Sequence, residues 1–246
     1  MKSLLITRPE PQASELATLL RQQGCSAWVF PTIEIRPVTD THELQQFRQA
    51  VHSQDLLIFV SQHAVNAISA NTRQKQITAH TCIAIGKGTA DALKTAGFTH
   101  IHYAQDILSN SEATLALPIL QNVQDKTCWI LRGNGGRELL PEALQQRGAH
   151  VHVVSCYERH LPKTSIKTLI DYWQQNGFDM IICTSLEGLK NLWQLLETHH
   201  ALLQKTPITV LSETMLRWAH AHGIKNTRFL ASANNHDIVN WIREQA

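Results

Sequence analysis

The sequence predicts an α/β protein of two similar lobes, each a parallel β-sheet flanked by helices. Three observations carry this. Short apolar runs alternate with helix-period segments along the chain, as repeated βα units do. The pattern is stated twice, 124 residues apart: Arg8 returns as Arg132, Leu16 as Leu140, Leu20 as Leu144, Gly24 as Gly148, Asp55 as Asp179 and Ser61 as Ser185. A two-residue slip brings Gly97 to Gly223. Third, glycines and capping residues punctuate both copies at matching places, so the chain carries two versions of one flavodoxin- or Rossmann-like design. Two such lobes make a cleft.

The elements follow in order. Ser3–Ile6 reads as a buried strand. Pro11–Gln23 reads as a helix with Leu16, Leu19 and Leu20 on one face and Gly24 as its stop. Trp28–Phe30 is the next strand. Leu56–Val60 is a continuous apolar run, as expected of a strand covered on both faces. Ser61 stands at the N-cap of a helix carrying Ala64, Val65 and Ile68. Cys82–Ile85 is a strand; Gly86-Lys87-Gly88-Thr89 turns into a helix ending at Gly97. A helix around Ser111–Leu120 precedes a strand at Thr127–Leu131, a turn at Gly133–Gly136, a helix ending at Gly148 and a strand at Val151–Val154. The second copy continues with strand Met180–Cys183, N-cap Ser185, helix Leu186–Leu196, strand Ile208–Leu211 and a helix over Ser212–His222 stopped by Gly223. Two equivalent stretches, Pro31–Pro37 and Ser155–Pro162, combine extended-chain residues with prolines and read as two linker strands between the lobes.

Composition narrows the function. Of 246 residues, 43% are apolar, enough for real cores. A net charge of +2 with no Lys/Arg run gives nucleic acid or an anionic membrane surface little to bind. The five cysteines are scattered without a CxxC and several sit in apolar strands, which points to a reducing compartment. The first residues hold too short an apolar run for a signal peptide, and no stretch approaches a membrane span of about 20 residues. A cytoplasmic protein is expected, without a membrane partner; a monomer is the simplest oligomeric expectation.

Right-handed crossovers put every βα turn of a parallel sheet on one edge. That edge collects Thr7-Arg8, Ser61, Gly86, Lys87, Thr89, Arg132, Gly133, Arg137, Thr184, Ser185, Ser212 and Thr214. Helix N-termini there offer unpaired N–H groups and about half a positive charge. Hydroxyls and guanidinium forks add donors. The expected ligand is rich in carboxylates or phosphates. Each serine taken alone is accounted for by capping; the set on one edge favours binding. Gly133-Asn134-Gly135-Gly136 is a partial dinucleotide fingerprint that lacks its third glycine, since Glu138 stands there. No GxxxxGK[ST] loop or GxSxG elbow occurs. Fourteen histidines include close pairs, but without carboxylates at ligand spacing, so no metal is expected. Tyr157 lies in the return linker; from that place it could donate a proton to a leaving group or simply pack its ring.

Leu5-Ile6-Thr7-Arg8-Pro9 with Gly24 and Pro31 resembles the opening of the uroporphyrinogen-III synthases. So do Asp55–Ser61 with Ala64-Val65, and Ala84–Ala90 with Gly97. Leu131-Arg132-Gly133, Gly136-Arg137, Leu144, Gly148 and Tyr157-Glu158-Arg159 continue the resemblance, and Thr184-Ser185, Ser212 and Gly223 complete it. The set runs in the family's order over nearly the whole chain. Val60-Ser61-Gln62 departs where Thr-Ser is commoner, as does Leu186-Glu187 after Ser185. The resemblance implies a two-stranded β linker and a discontinuous lobe, 1–34 with 160–246, into which a lobe of 38–155 is inserted, with linker strands at about 31–37 and 155–162. It also implies a reaction: hydroxymethylbilane, a linear tetrapyrrole with eight carboxylates, loses water and closes with ring D inverted to uroporphyrinogen III, without a cofactor. Tyr157 would help the hydroxyl leave, and Thr89, Ser61, Ser185 and nearby N–H groups would hold acetates and propionates. A non-catalytic two-lobe protein binding an anionic ligand is the alternative; a nucleotide-dependent transferase rests on Gly133–Gly136 alone.

Overall fold

The computed structural model describes residues 2–71, 80–105 and 110–244. In chain order the elements are β1 (Ser3–Ile6), α1 (Gln12–Gln22), β2 (Ser26–Val29), β3 (Glu34–Pro37), α2 (His42–Ala50), β4 (Leu56–Phe59), α3 (Gln62–Asn71), β5 (Thr81–Ala84), α4 (Lys87–Thr95) and β6 (His100–Tyr103). There follow α5 (Ser111–Leu115), β7 (Thr127–Gly133), α6 (Leu139–Gln146), β8 (His150–His160), α7 (Lys167–Asn176), β9 (Met180–Ile182) and α8 (Leu186–Leu196). The chain ends with α9 (His200–Lys205), β10 (Ile208–Val210), α10 (Glu213–Ala221), β11 (Thr227–Phe229) and α11 (Asn235–Glu244). They divide into two compact units, one of residues 1–34 and 160–246, the other of 35–159.

The first unit is built on a sheet of order β11-β10-β9-β1-β2, parallel at every pairing. From β1 the chain moves outward to β2, and the later strands fill in from the other side of β1. The strand order therefore reverses between β1 and β9. Alternation explains the unbroken apolar runs: Leu5, Ile181 and Val210 join one core cluster, while Leu4, Ile6 and Ile182 join the cluster on the opposite face. Both faces are covered, so every residue of the run is buried. Each such Leu or Ile contributes about 1.5–3 kcal/mol by leaving water.

The second unit has the order β3-β8-β7-β4-β5-β6, parallel from β8 to β6. Here β4, β5 and β6 run outward to one side and β7 returns to the other side of β4, so the reversal falls between β4 and β7. The same two-faced packing holds: Leu57, Phe59, Trp129 and Leu131 on one side, Leu56, Ile58, Cys128 and Ile130 on the other. The buried indole of Trp129 donates to Asp55 Oδ2 at 2.8 Å, which also accepts from His52 N at 2.9 Å. That satisfies a carboxylate which burial alone would penalise.

Two elements differ from the sequence reading for physical reasons. The helix expected over Ser111–Leu120 ends at Leu115, and Pro118, which has no N–H to donate, opens a short 3-10 turn over Pro118–Leu120 instead. The strand at Val151–Val154 and the first part of the return linker are one strand, β8, which reaches His160. Against β7 its register shifts: Arg132 faces Ser155 but Gly133 faces Tyr157, so Cys156 is the extra residue of a bulge in β8.

Candidate functional site at the strand ends

Because the strands in each unit are parallel, the turns that follow them share an edge. The residues singled out from sequence fall into two groups, one per unit. In the first, Thr7-Arg8 follow β1, Thr184-Ser185 follow β9, and Ser212 and Thr214 follow β10. In the second, Ser61 follows β4, Gly86, Lys87 and Thr89 follow β5, and Arg132, Gly133 and Arg137 close β7. In both units these are neighbouring strands that flank the point of reversal, where a crevice opens in doubly wound sheets.

The three serines do cap helices. Ser61 Oγ accepts from Ala64 N at 3.1 Å, Ser185 Oγ from Gly188 N at 3.0 Å and Ser212 Oγ from Met215 N at 3.2 Å. The N-cap of α4 is Gly86, which offers no side chain, so its first-turn N–H groups lack that partner. Thr89 is buried in that turn, and Lys87 is exposed and paired with Asp91 at 3.0 Å.

On the first unit's edge, most donors are committed internally. Thr7 Oγ1 donates to the carbonyl of Ile182 at 3.2 Å. Arg8 Nη1 donates to the carbonyl of Ala233 at 2.7 Å and to Asn235 Oδ1 at 2.6 Å, tying the β1–α1 turn to the start of α11. Burial draws the Arg8 guanidinium down to about 10, opposed by the charge of Glu15, so it stays protonated at neutral pH. Thr32, absent from the sequence reading, sits behind this edge: its Oγ1 lies 3.1 Å from the carbonyl of Thr7 and 3.0 Å from that of Gly188, and Asn191 donates to its carbonyl.

The second unit's edge is different, because it surrounds Tyr157. The ring belongs to that unit's core and is 1% exposed. The register explains the burial. The bulge sets Tyr157 opposite Gly133, and a Cβ at Gly133 would lie 2.5 Å from Tyr157 Cε2. Only glycine leaves room for the ring. The hydroxyl then receives two hydrogen bonds, from Ser61 Oγ at 3.0 Å and from Arg159 Nη2 at 3.0 Å. Its own proton has no acceptor among the described residues. A buried donor without an acceptor costs about 1–3 kcal/mol.

Two residues around Tyr157 escaped the site prediction. Arg159 lies two positions along β8, hence on the same strand face, with its guanidinium carbon 5.4 Å from the ring centroid. Asn134 clasps the strand: its N–H donates to the Tyr157 carbonyl at 2.9 Å, its Oδ1 accepts from Arg159 N at 2.9 Å, and its carbonyl accepts from Arg159 Nη1 at 3.4 Å. The period-two spacing of Tyr157 and Arg159 was a readable signal. The clasp was not, because it depends on the bulge. The glycine-rich turn thus holds β8 in place. Arg132 is pinned by Glu138 at 2.8 Å and by the carbonyl of Arg137 at 3.3 Å, and its buried Nε has no partner among the described residues. Arg137 is exposed and grips both oxygens of Glu112.

Fold and edges together define a doubly wound parallel α/β protein of two units with donor-rich strand ends. Comparison with known proteins makes this particular. The family model described as uroporphyrinogen-III synthase HemD matches residues 14–239. Uroporphyrinogen-III synthase of Escherichia coli (strain K12) is 37% identical over 243 residues, covering 96% of this chain and 98% of that protein. That of Synechococcus elongatus is 29% identical over 203 residues, 80% of this chain and 76% of that protein. In structure, a mutant uroporphyrinogen III synthase from the extremely thermophilic bacterium Thermus thermophilus gives a TM-score of 0.62 at 16% identity, covering 100% of this chain and 99% of that one. The enzyme from Helicobacter pylori 26695 gives 0.62 at 14%, covering 100% of both; these two likenesses are of fold. The chain belongs to the uroporphyrinogen-III synthase family.

Proposed function

We propose that the chain converts hydroxymethylbilane to uroporphyrinogen III, with Tyr157 as the proton donor to the departing hydroxyl. The observation that carries the catalytic part is the Tyr157 hydroxyl: buried, holding two incoming hydrogen bonds, with a proton that no described residue accepts. It sits at the carboxyl end of the strands where the second unit's order reverses, the place where a doubly wound sheet takes its ligand. Transfer of that proton lets the ring A hydroxymethyl group lose water and leaves an azafulvenium cation, with the charge shared over the ring A nitrogen. Ring D then attacks through its substituted carbon, and the spiro intermediate fragments and recloses with ring D inverted. The proton released as the last pyrrole regains aromaticity restores the tyrosine.

The substrate closes unaided to the uninverted isomer, so the protein must hold ring D in the less favourable approach. Orientation of this kind is worth up to roughly 7–11 kcal/mol. Its eight carboxylates call for distributed donors. The strand-end candidates are Thr89 in the first turn of α4, the helix starts at Ser61, Ser185 and Ser212, and Arg132 and Arg137, with Arg8 held internally by Ala233 and Asn235. Arg132 is the best supported of the three arginines, since its buried Nε is unsatisfied. We take the domains to be a discontinuous lobe of 1–34 with 160–246 and an inserted lobe of 38–155. We also take the protein to act as a cytoplasmic monomer. In support of a reducing compartment, all five cysteines are free thiols.

The test is incubation with freshly made hydroxymethylbilane, then oxidation and isomer analysis. Uroporphyrin III is expected in excess. Uroporphyrin I alone, as in the blank, overturns the reading; tight binding of the bilane without conversion would instead support a non-catalytic binding protein.

A further inference from the structure

We infer that Arg159 is a positioning residue for this reaction, acting through the Tyr157 hydroxyl and held in place by Asn134. The inference rests on the reading of Tyr157 as proton donor and deepens it. A phenol oxygen has two acceptor positions and one proton. Ser61 Oγ and Arg159 Nη2, each at 3.0 Å, fill both acceptor positions. The proton is thereby left a single direction, away from both donors and toward the reacting group. As it leaves, negative charge collects on Oη between a guanidinium and a serine hydroxyl. Preorganised donors aimed at developing charge inside a protein are far more effective than in water.

Arg159 reaches this place through its backbone. Its N–H donates to Asn134 Oδ1 at 2.9 Å and its Nη1 to the Asn134 carbonyl at 3.4 Å, while Asn134 N donates to the Tyr157 carbonyl at 2.9 Å. One turn residue therefore fixes the tyrosine and the arginine together. Ser61 is held by a second element, since its Oγ accepts from Ala64 N in α3. The two donors to Oη come from different parts of the unit, so the hydroxyl cannot rotate without breaking one of them.

The test is a double-mutant cycle of Arg159→Met and Tyr157→Phe, read as the rate of uroporphyrinogen III formation. Because the guanidinium acts on charge that exists only in the transition state, Arg159→Met should lower kcat about tenfold and leave KM within about twofold. In the Tyr157→Phe background the same substitution should cost less than about twofold, since no hydroxyl remains to be positioned. Arg159→Lys, which keeps the charge, should recover part of the rate. Equal losses in both backgrounds, a loss expressed in KM, or an unchanged kcat each overturns the inference. Should Arg159→Met fail to fold by near-UV circular dichroism, the cycle is run with Arg159→Lys, whose smaller loss must likewise vanish beside Tyr157→Phe. A wild-type protein that makes no isomer III marks failure of the functional reading instead.

Discussion

Tyr157 and Gly133 form one steric and chemical unit. Replacing Tyr157 by Phe removes the proton but keeps the ring against Gly133, so the core is preserved. Loss of a general acid costs about 10²–10⁴ in rate; kcat should fall within that range with KM nearly constant, measured by initial rates of isomer III formation. Gly133→Ala tests the other half. Its Cβ would press on the ring itself, at 2.5 Å from Cε2 and 2.6 Å from Cζ, and β8 holds that ring rigidly. Overpacking of this kind costs about 1–3 kcal/mol, seen as a lower Tm, and it should displace the hydroxyl and lower kcat as well. Gly88→Ala is the contrast. There the added Cβ meets only the end of the Gln62 side chain, at 2.6 Å, which can swing aside. Alanine gains about 1 kcal/mol of helix propensity over glycine, so stability should hold or rise.

The repeat supplies a matched pair at the level of elements. Gly24 and Gly148 both follow helices and both adopt left-handed backbone, φ 77 and φ 82. Each N–H closes the helix end, onto Arg21 and Gln145 carbonyls respectively. A Cβ at Gly24 meets nothing within 4 Å, whereas at Gly148 it would lie 2.0 Å from Gln124 Oε1. Gly24→Ala should therefore cost about 1 kcal/mol, from backbone conformation alone. Gly148→Ala should cost about the same, because the exposed Gln124 amide swings aside and loses only its exposed hydrogen bond to Asp125; denaturant midpoints of the two variants and the wild type make the comparison. These stops were readable because a glycine after an amphipathic run has one local cause. The central strands were readable for the same reason: their apolar runs need no partner to be recognised. Edge and polar elements were not. In β6 the sequence His-Ile-His-Tyr alternates burial weakly, β11 leaves Phe229 61% exposed, and α2 buries only Leu44 and Phe47. The strand-end serines were legible as caps, but the second bond of Ser61, to Tyr157, depends on a bulge 96 residues away. Asn134 was hidden for that reason too.

At the scale of the whole molecule, the cysteines report on how each unit holds together. Four are buried and one, Cys25, is partly exposed. Burial pushes the thiols of Cys82 and Cys156 up to about 12 and that of Cys128 to about 11, and it raises Cys183 as well. The sign follows from the thiolate being the reactive form. A raised folded-state value keeps these groups protonated throughout neutral and mildly alkaline pH, so they stay inert until unfolding returns them to about 8.5. Their neutral burial stabilises the fold fully below that value, and the contribution is lost as pH rises from there through 11 and 12. At pH 8 an alkylating reagent should modify Cys25 first and leave the other four. Each unit has its own pair of core clusters, and the chain passes between units only at 34–35 and 159–160. In rising urea, Cys82, Cys128 and Cys156 should therefore become reactive together, at a midpoint distinct from that of Cys183. Mass spectrometry of alkylated peptides separates the cases: a shared midpoint for all four would mean that the units unfold as one.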